Sequence, residues 1–146
     1  MRFWDASAIV PLLVVEPTSD VGRSVLANDL DMVVWWGTRV ECSGAVARSE
    51  RVGRVTSDGA RDAFDNLQRL GRDWTEIDPT GAVRVVAERL VRTHPLRTAD
   101  ALQLAAAIVA AEGRPVTLSF VTLDERLALA ADREGFRVIR FDRPTA

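Results

Sequence analysis

The sequence predicts an α/β fold: a central parallel sheet with helices on both faces, three layers α/β/α, in one domain covering residues 1–146. Three observations predict it. Short apolar runs of strand character alternate along the chain with segments of helical period, which calls for parallel strands joined by crossover helices. Right-handed crossovers then bring the C-terminal ends of the strands to one edge. Finally, in the opening stretch Met1-Arg-Phe-Trp-Asp5-Ala-Ser7-Ala-Ile-Val, a short strand, Arg2 to Trp4, ends in a carboxylate and a helix begins at once. That boundary is where open α/β sheets bind ligands. Asp5 is read equally as the N-cap of the helix that follows.

The elements follow in order. Ala6, Ile9, Val10, Leu13 and Val14 recur at three- and four-residue spacing and make the first helix. Glu16-Pro17-Thr18-Ser19-Asp20 breaks it, and Thr18 or Ser19 caps a second helix to about Asn28. After a turn at Asp29 to Asp31, Met32 to Trp36 reads as a buried strand. Thr38-Arg-Val-Glu41 has capping-box spacing and opens a helix to about Val52. Thr56-Ser57-Asp58 opens another, with Ala60, Ala63, Phe64, Leu67 and Leu70 on one face. Trp74 to Ile77 is a short strand. Asp78 and Pro79 then read as N-cap and first turn of a helix through Val83, Val86, Ala87, Leu90 and Val91, which runs towards His94-Pro95. Thr98 caps a helix from Ala99 to Ile108 that is apolar nearly all round, hence buried. Gly113-Arg114-Pro115 stops it. Leu118 to Thr122 is a strand ending at Leu123-Asp124; Arg126 to Ala131 is helical, Gly135 suits its C-terminal cap, and Phe136 to Phe141 is the last strand.

Composition removes several chemistries. All 19 basic residues are arginine, so a Walker-type loop and lysine Schiff-base chemistry are excluded. Tyrosine is absent, and one histidine with one cysteine is too few for an ordinary zinc site. Dinucleotide-binding and nucleophile-elbow motifs are missing. The longest apolar run, Leu104 to Ala111, is too short to span a bilayer, and no signal-like segment opens the chain. With the lone Cys42, these predict a cytoplasmic protein with no membrane association. A net charge of −2 is no nucleic-acid signature by itself.

Carboxylate remains in quantity. Asp5 and Asp124 follow predicted strands, and Glu41 and Asp100 lie in the first turns of predicted helices. Each has a modest alternative: a cap, a capping-box partner of Thr38, or a charge at the positive end of a helix. Together at one edge they would repel each other and raise each other's pKa. A divalent cation removes that problem, and all-oxygen ligands favour Mg²⁺ or Mn²⁺.

The chain resembles the PIN-domain ribonucleases, and within them the VapC-type toxins of bacterial toxin–antitoxin pairs. The resemblance runs nearly end to end. It rests on Phe3-Trp-Asp5-Ala-Ser7-Ala, Thr38-Arg-Val-Glu41, Leu96-Arg-Thr-Ala-Asp100-Ala-Leu-Gln-Leu-Ala105 and Phe120-Val-Thr-Leu-Asp124-Glu-Arg-Leu127, in that order. It implies a PIN-like fold in which Asp5, Glu41, Asp100 and Asp124 form an acidic Mg²⁺ (or Mn²⁺) site, with Ser7 and Thr122 as supporting polar groups. It also implies an endoribonuclease that hydrolyses RNA phosphodiester bonds to 5′-phosphate and 3′-hydroxyl ends, a cognate antitoxin and a homodimer. A bound divalent ion reverses the local sign for an anionic substrate and acidifies water.

Other residues read as follows. Arg48, Arg51 and Arg54 lie three apart, a solvated helical stripe or a track for an RNA backbone. Arg97, three before Asp100, is placed to touch substrate or an inhibitor. His94 reads as a loop residue, and Cys42 as a small core residue. Trp35 and Trp36 depart from the smaller or polar residues expected there; one belongs in the core, and the other, if exposed, is an anchor for a partner. Alternatives are an RNA-processing PIN nuclease without an antitoxin and a catalytically inert PIN module that only binds a partner. A phosphoacceptor domain of similar sheet is disfavoured by the missing lysine.

Overall fold

Alternation along three short strands fixes the layers. In the computed structural model, which describes residues 1–141, β1 (Arg2–Trp4), β2 (Met32–Trp35), β3 (Thr75–Ile77), β4 (Ser119–Val121) and β5 (Val138–Ile139) form one sheet in the order β3-β2-β1-β4-β5. Every pairing is parallel. Phe3 lies opposite Val33 and Phe120, and Trp4 opposite Val121. Successive side chains point to opposite faces, so each strand feeds two cores.

On one face Trp4, Met32, Val34 and Val121 pack against α1 (Ala6–Leu13), α3 (Thr38–Arg51) and α4 (Ser57–Asp73) through Ile9, Cys42, Val46, Ala63 and Leu67. The helix α2 (Ser19–Asn28) adds Val21, Val25 and Leu26 at its margin. On the other face Phe3, Val33, Trp35 and Phe120 meet α5 (Gly81–Thr93), α6 (Thr98–Ala110) and α7 (Glu125–Arg133) through Val83, Leu90, Leu104 and Leu127. The Phe3 and Phe120 rings stack with centroids 5.3 Å apart. Burying each such side chain is worth about 1.5–3 kcal/mol. The all-round apolar reading of α6 holds: Ala101, Leu104, Ala105, Ala106 and Ala107 are fully buried.

Boundaries differ from the sequence expectation where a neighbouring group decides them. The helix α5 is capped by Thr80, not Asp78: Thr80 Oγ1 accepts from the Val83 N–H, while the Asp78 carbonyl accepts from the Thr80 N–H. Thr98 is already helical; Arg97 occupies the cap position and its side chain makes no capping bond. The last strand pairs only at Val138 and Ile139, opposite Phe120 and Val121. Its aromatic flanks Phe136 and Phe141 are buried instead, one in each core. Strand β2 stops at Trp35, and Trp36 turns outward. At the next position a side chain on Gly37 would stand 2.5 Å from Trp35 Nε1, so only glycine fits that entry to α3. Gly135 closes α7 at φ +100, as expected of a left-handed cap.

The strand order places the site. The chain steps from β1 to β2 to β3 on one side of the sheet and then returns to the other side of β1 for β4 and β5. The direction reverses between β1 and β4, which opens a crevice beyond their C-terminal ends. Asp5 directly follows β1, and Asp124 lies just past β4. Among the described residues no helix is long and apolar enough to cross a membrane.

Candidate active site

Asp5 is buried at the start of α1 with extended backbone (φ −77, ψ 152). Three donors converge on its Oδ2: the Ser7 N–H at 3.3 Å, the Ser7 hydroxyl, and the Thr122 hydroxyl at 2.9 Å. Ser7 Oγ in turn accepts from the Leu123 N–H at 2.9 Å and touches Thr122 Oγ1 at 3.2 Å. Thr122 Oγ1 accepts from the Asp124 N–H at 3.1 Å. Ser7 and Thr122 thus tie the ends of β1 and β4 together beneath the crevice.

Asp124 caps α7, its Oδ1 accepting from the Leu127 N–H at 2.9 Å. Glu41 lies in the first turn of α3 and Asp100 in the first turn of α6. Asp5, Glu41, Asp100 and Asp124 line one open cavity of about 460 Å³, together with Ser7, Val40 and Arg48. The capping box expected between Thr38 and Glu41 is not formed. Gly37 holds the cap position, without a side-chain bond. Thr38 Oγ1 and Glu41 Oε1 instead both accept from Gln103 Nε2 of α6, at 2.9 and 3.1 Å.

The electrostatics follow from burial and like charge. Desolvation pushes the Asp5 carboxyl above its usual range; the Ser7 and Thr122 donors oppose this, and the Asp100 charge adds to it. Burial pushes Glu41 up to about 7, the charges of Asp5 and Asp100 adding and the Gln103 donor opposing. Asp100 is raised by burial and then by Asp124, against the Arg97 backbone and the Arg97 and Arg126 guanidinium groups.

The four acids offer only oxygen donors, the ligand chemistry of a hard divalent cation. None of the four acids has an arginine or histidine ion-pair partner among the described residues. Asp5, Asp124 and Glu41 each have one carboxylate oxygen engaged by a protein donor and the other without one. Among the described residues no three acids, histidines or cysteines already stand close enough to enclose an ion. The acids line an open cleft.

The remaining expectations divide. Trp35 is buried and Trp36 is 53% exposed, as one-in and one-out required. Cys42 is fully buried, its thiol pushed up to about 12, an inert core residue. Arg48 does reach the acidic cleft, but α3 ends at Arg51, so Arg54 is not on the same helical stripe. His94 is no mere loop residue: it is buried, with Nε2 2.8 Å from Glu134 Oε2. Sequence reasoning missed Gln103 and Arg126. Gln103 left a signal, as the one polar side chain between Ala101 and Ala111.

No family model matches the chain. Two curated proteins of Mycobacterium tuberculosis, Ribonuclease VapC45 and Ribonuclease VapC49, are each 33% identical to it over 139 residues, 93% of this chain and 92% of theirs. Among solved structures, PAE2754 from Pyrobaculum aerophilum superposes with a TM-score of 0.67 at 19% identity, covering 96% of this chain and 90% of that one. FitAcB from Neisseria gonorrhoeae gives 0.65 at 17% identity, with 98% of both chains covered. At such identities the structural likenesses speak for the fold.

Proposed function

The chain belongs to the VapC family of PIN-fold ribonucleases, and we propose that it is a metal-dependent endoribonuclease, the toxin of an antitoxin-controlled pair. The observation that carries this reading is the gathering of Asp5, Glu41, Asp100 and Asp124 on one cleft at the reversal point of the sheet. Asp5, Glu41, Asp100 and Asp124 would hold Mg²⁺ or Mn²⁺. When bound, the ion supplies positive charge for a phosphodiester oxygen and acidifies the attacking water. Ser7 and Thr122 keep Asp5 from turning, which fixes its free oxygen against the crevice. Arg48, Arg97 and Arg126 have no carboxylate partner among the described residues, and they attract the RNA backbone to an otherwise repellent site. The chain's own nucleophiles are not needed, in keeping with its lack of Lys and Tyr.

The partners follow from the same surface. A cytoplasmic antitoxin that lays an arginine into the cleft pairs with the acids and neutralises them. Trp36 and Val40, 53% and 72% exposed, provide apolar surface for a second copy of the chain. The test is RNA cleavage by the purified protein in Mg²⁺ or Mn²⁺, with mapping of fragment 5′ ends. Asp5→Asn and Asp100→Asn are expected to keep the fold and lose cleavage and growth inhibition. Cleavage retained by Asp100→Asn overturns the assignment.

A further inference from the structure

We propose that Gln103 is a positioning residue for Glu41: its buried amide locks α6 to the first turn of α3 and so sets the spacing between Glu41 and Asp100. This rests on the metal-site reading above. Gln103 is fully buried and does not line the cleft, so it touches neither ion nor RNA. One nitrogen, Nε2, donates to Thr38 Oγ1 and to Glu41 Oε1, three residues apart on the same side of α3. On its own helix Gln103 stands three residues after Asp100, one turn below it. A single amide therefore joins the two helices that carry Glu41 and Asp100.

With Glu41 ionised, the amide's orientation has one sense. Turned over, Gln103 Oε1 would face the ionised Glu41 carboxylate, acceptor against acceptor. In the orientation present, Oε1 is buried without a partner. An unsatisfied buried oxygen opposes folding; an apolar side chain of similar volume removes that defect but takes the donor from the buried Thr38 hydroxyl, so core stability alone does not account for this glutamine. What the amide provides is a donor that holds Glu41 Oε1 and leaves Oε2 free. Asp5 has two hydroxyls for this purpose and Asp124 has its cap. Glu41 has Gln103.

The experiment uses Gln103→Leu and Gln103→Met in the full chain, with Mn²⁺ affinity by calorimetry, metal-free Tm, and kcat and KM on RNA. Both variants are expected to fold with a metal-free Tm close to wild type, the loss of the Thr38 contact offsetting the removal of the unpartnered Oε1. Mn²⁺ affinity should fall about tenfold, the usual scale for removing a partner that orients a ligand, and kcat should fall with KM unchanged. On a Glu41→Gln background the same substitution should cost nothing further. Wild-type Mn²⁺ affinity in both variants, or an equal loss on the Glu41→Gln background, overturns the proposal. A lowered Tm with Mn²⁺ affinity preserved makes Gln103 a stabilising core contact and also overturns it. If the wild-type chain binds no Mn²⁺, the metal-site reading fails. The positioning contact is then decided by the metal-free Tm of the Gln103/Glu41 double-mutant cycle, coupling supporting it and additivity refuting it.

Discussion

Glu41 concentrates the pH dependence of the cleft. Its ordinary value is 4.5; burial and the charges of Asp5 and Asp100 raise it to about 7 in the folded chain. For a group raised on folding, the stabilising contribution is complete below about 4.5 and is lost as pH rises through about 7. Metal-free protein should therefore melt at a lower temperature at pH 8 than at pH 5, and Glu41→Gln should flatten that slope. A cation competes with the proton, so Mn²⁺ affinity should increase as pH rises through about 7. Scanning calorimetry at a series of pH values, with and without Mn²⁺, checks both; a Tm that does not fall between pH 5 and 8 contradicts the first. Asp5 is set by its hydroxyl neighbours. Thr122→Val removes the 2.9 Å donor and leaves the β4 backbone as it is. It should weaken Mn²⁺ binding about tenfold and, because the Asp124 N–H loses its acceptor too, lower the Tm, both read by calorimetry on the same protein.

Among the elements, α5 and α7 are joined at their C-terminal ends by a cluster far from the cleft. Glu134 accepts from Arg89 at 2.7 and 3.3 Å and lies 2.8 Å from the buried His94 ring. Arg89, and His94 after it, hold the Glu134 carboxyl below its usual range. That stability is present above about 4.5 and is lost as pH falls through the lower folded value. Glu134→Gln should thus destabilise the fold at pH 7, and progressively less as pH falls through the lowered folded value. His94→Ala should cost about 1–3 kcal/mol by urea unfolding. RNA cleavage by the folded variant should be unchanged, because α7 carries Asp124 at its other end, roughly 15 Å away at 1.5 Å per residue. The pairing also marks the limit of sequence reading. Apolar period and turn residues act locally, so β1, β2, β4 and the buried helix α6 are legible, and with them the placing of Asp5, Asp100 and Asp124. His94 with Glu134, and Gln103 with Glu41, join residues 40 and 62 positions apart. No local pattern signals such pairs. Caps fail similarly: Thr38 has the spacing to cap α3 with Glu41, but a donor from another helix claims both.

At the scale of the whole molecule, the cleft and an exposed apolar patch share a residue. Val40 lines the acidic cavity and also a second hollow formed with Trp36, Arg39, Ser43 and Glu76. Trp36 stands edge-on against Trp35 at 6.4 Å between ring centroids, so the buried ring braces the exposed one. A rigid aromatic beside aliphatic surface has the character of an interface anchor. Two residues alone are far from the roughly 800 Å² per partner of a stable interface; in the proposed homodimer they would form part of a larger patch. The expectation is a homodimer that Trp36→Ala combined with Val40→Asp converts to monomer, measured by solution scattering. A wild-type chain that is monomeric alone and in complex with antitoxin excludes the dimer. The antitoxin's proposed seat is the cleft itself, where its arginine meets the acids. Inhibition by antitoxin should then be competitive with metal and RNA, through an arginine that replaces the cation's charge. Titration of antitoxin against wild-type and Asp5→Asn chains, with and without Mg²⁺, separates this from a remote effect. Occlusion requires that bound antitoxin lower Mg²⁺ affinity and stop cleavage, and that Mg²⁺ weaken antitoxin binding to wild type more than to Asp5→Asn. A bound antitoxin that leaves both Mg²⁺ affinity and cleavage unchanged eliminates it.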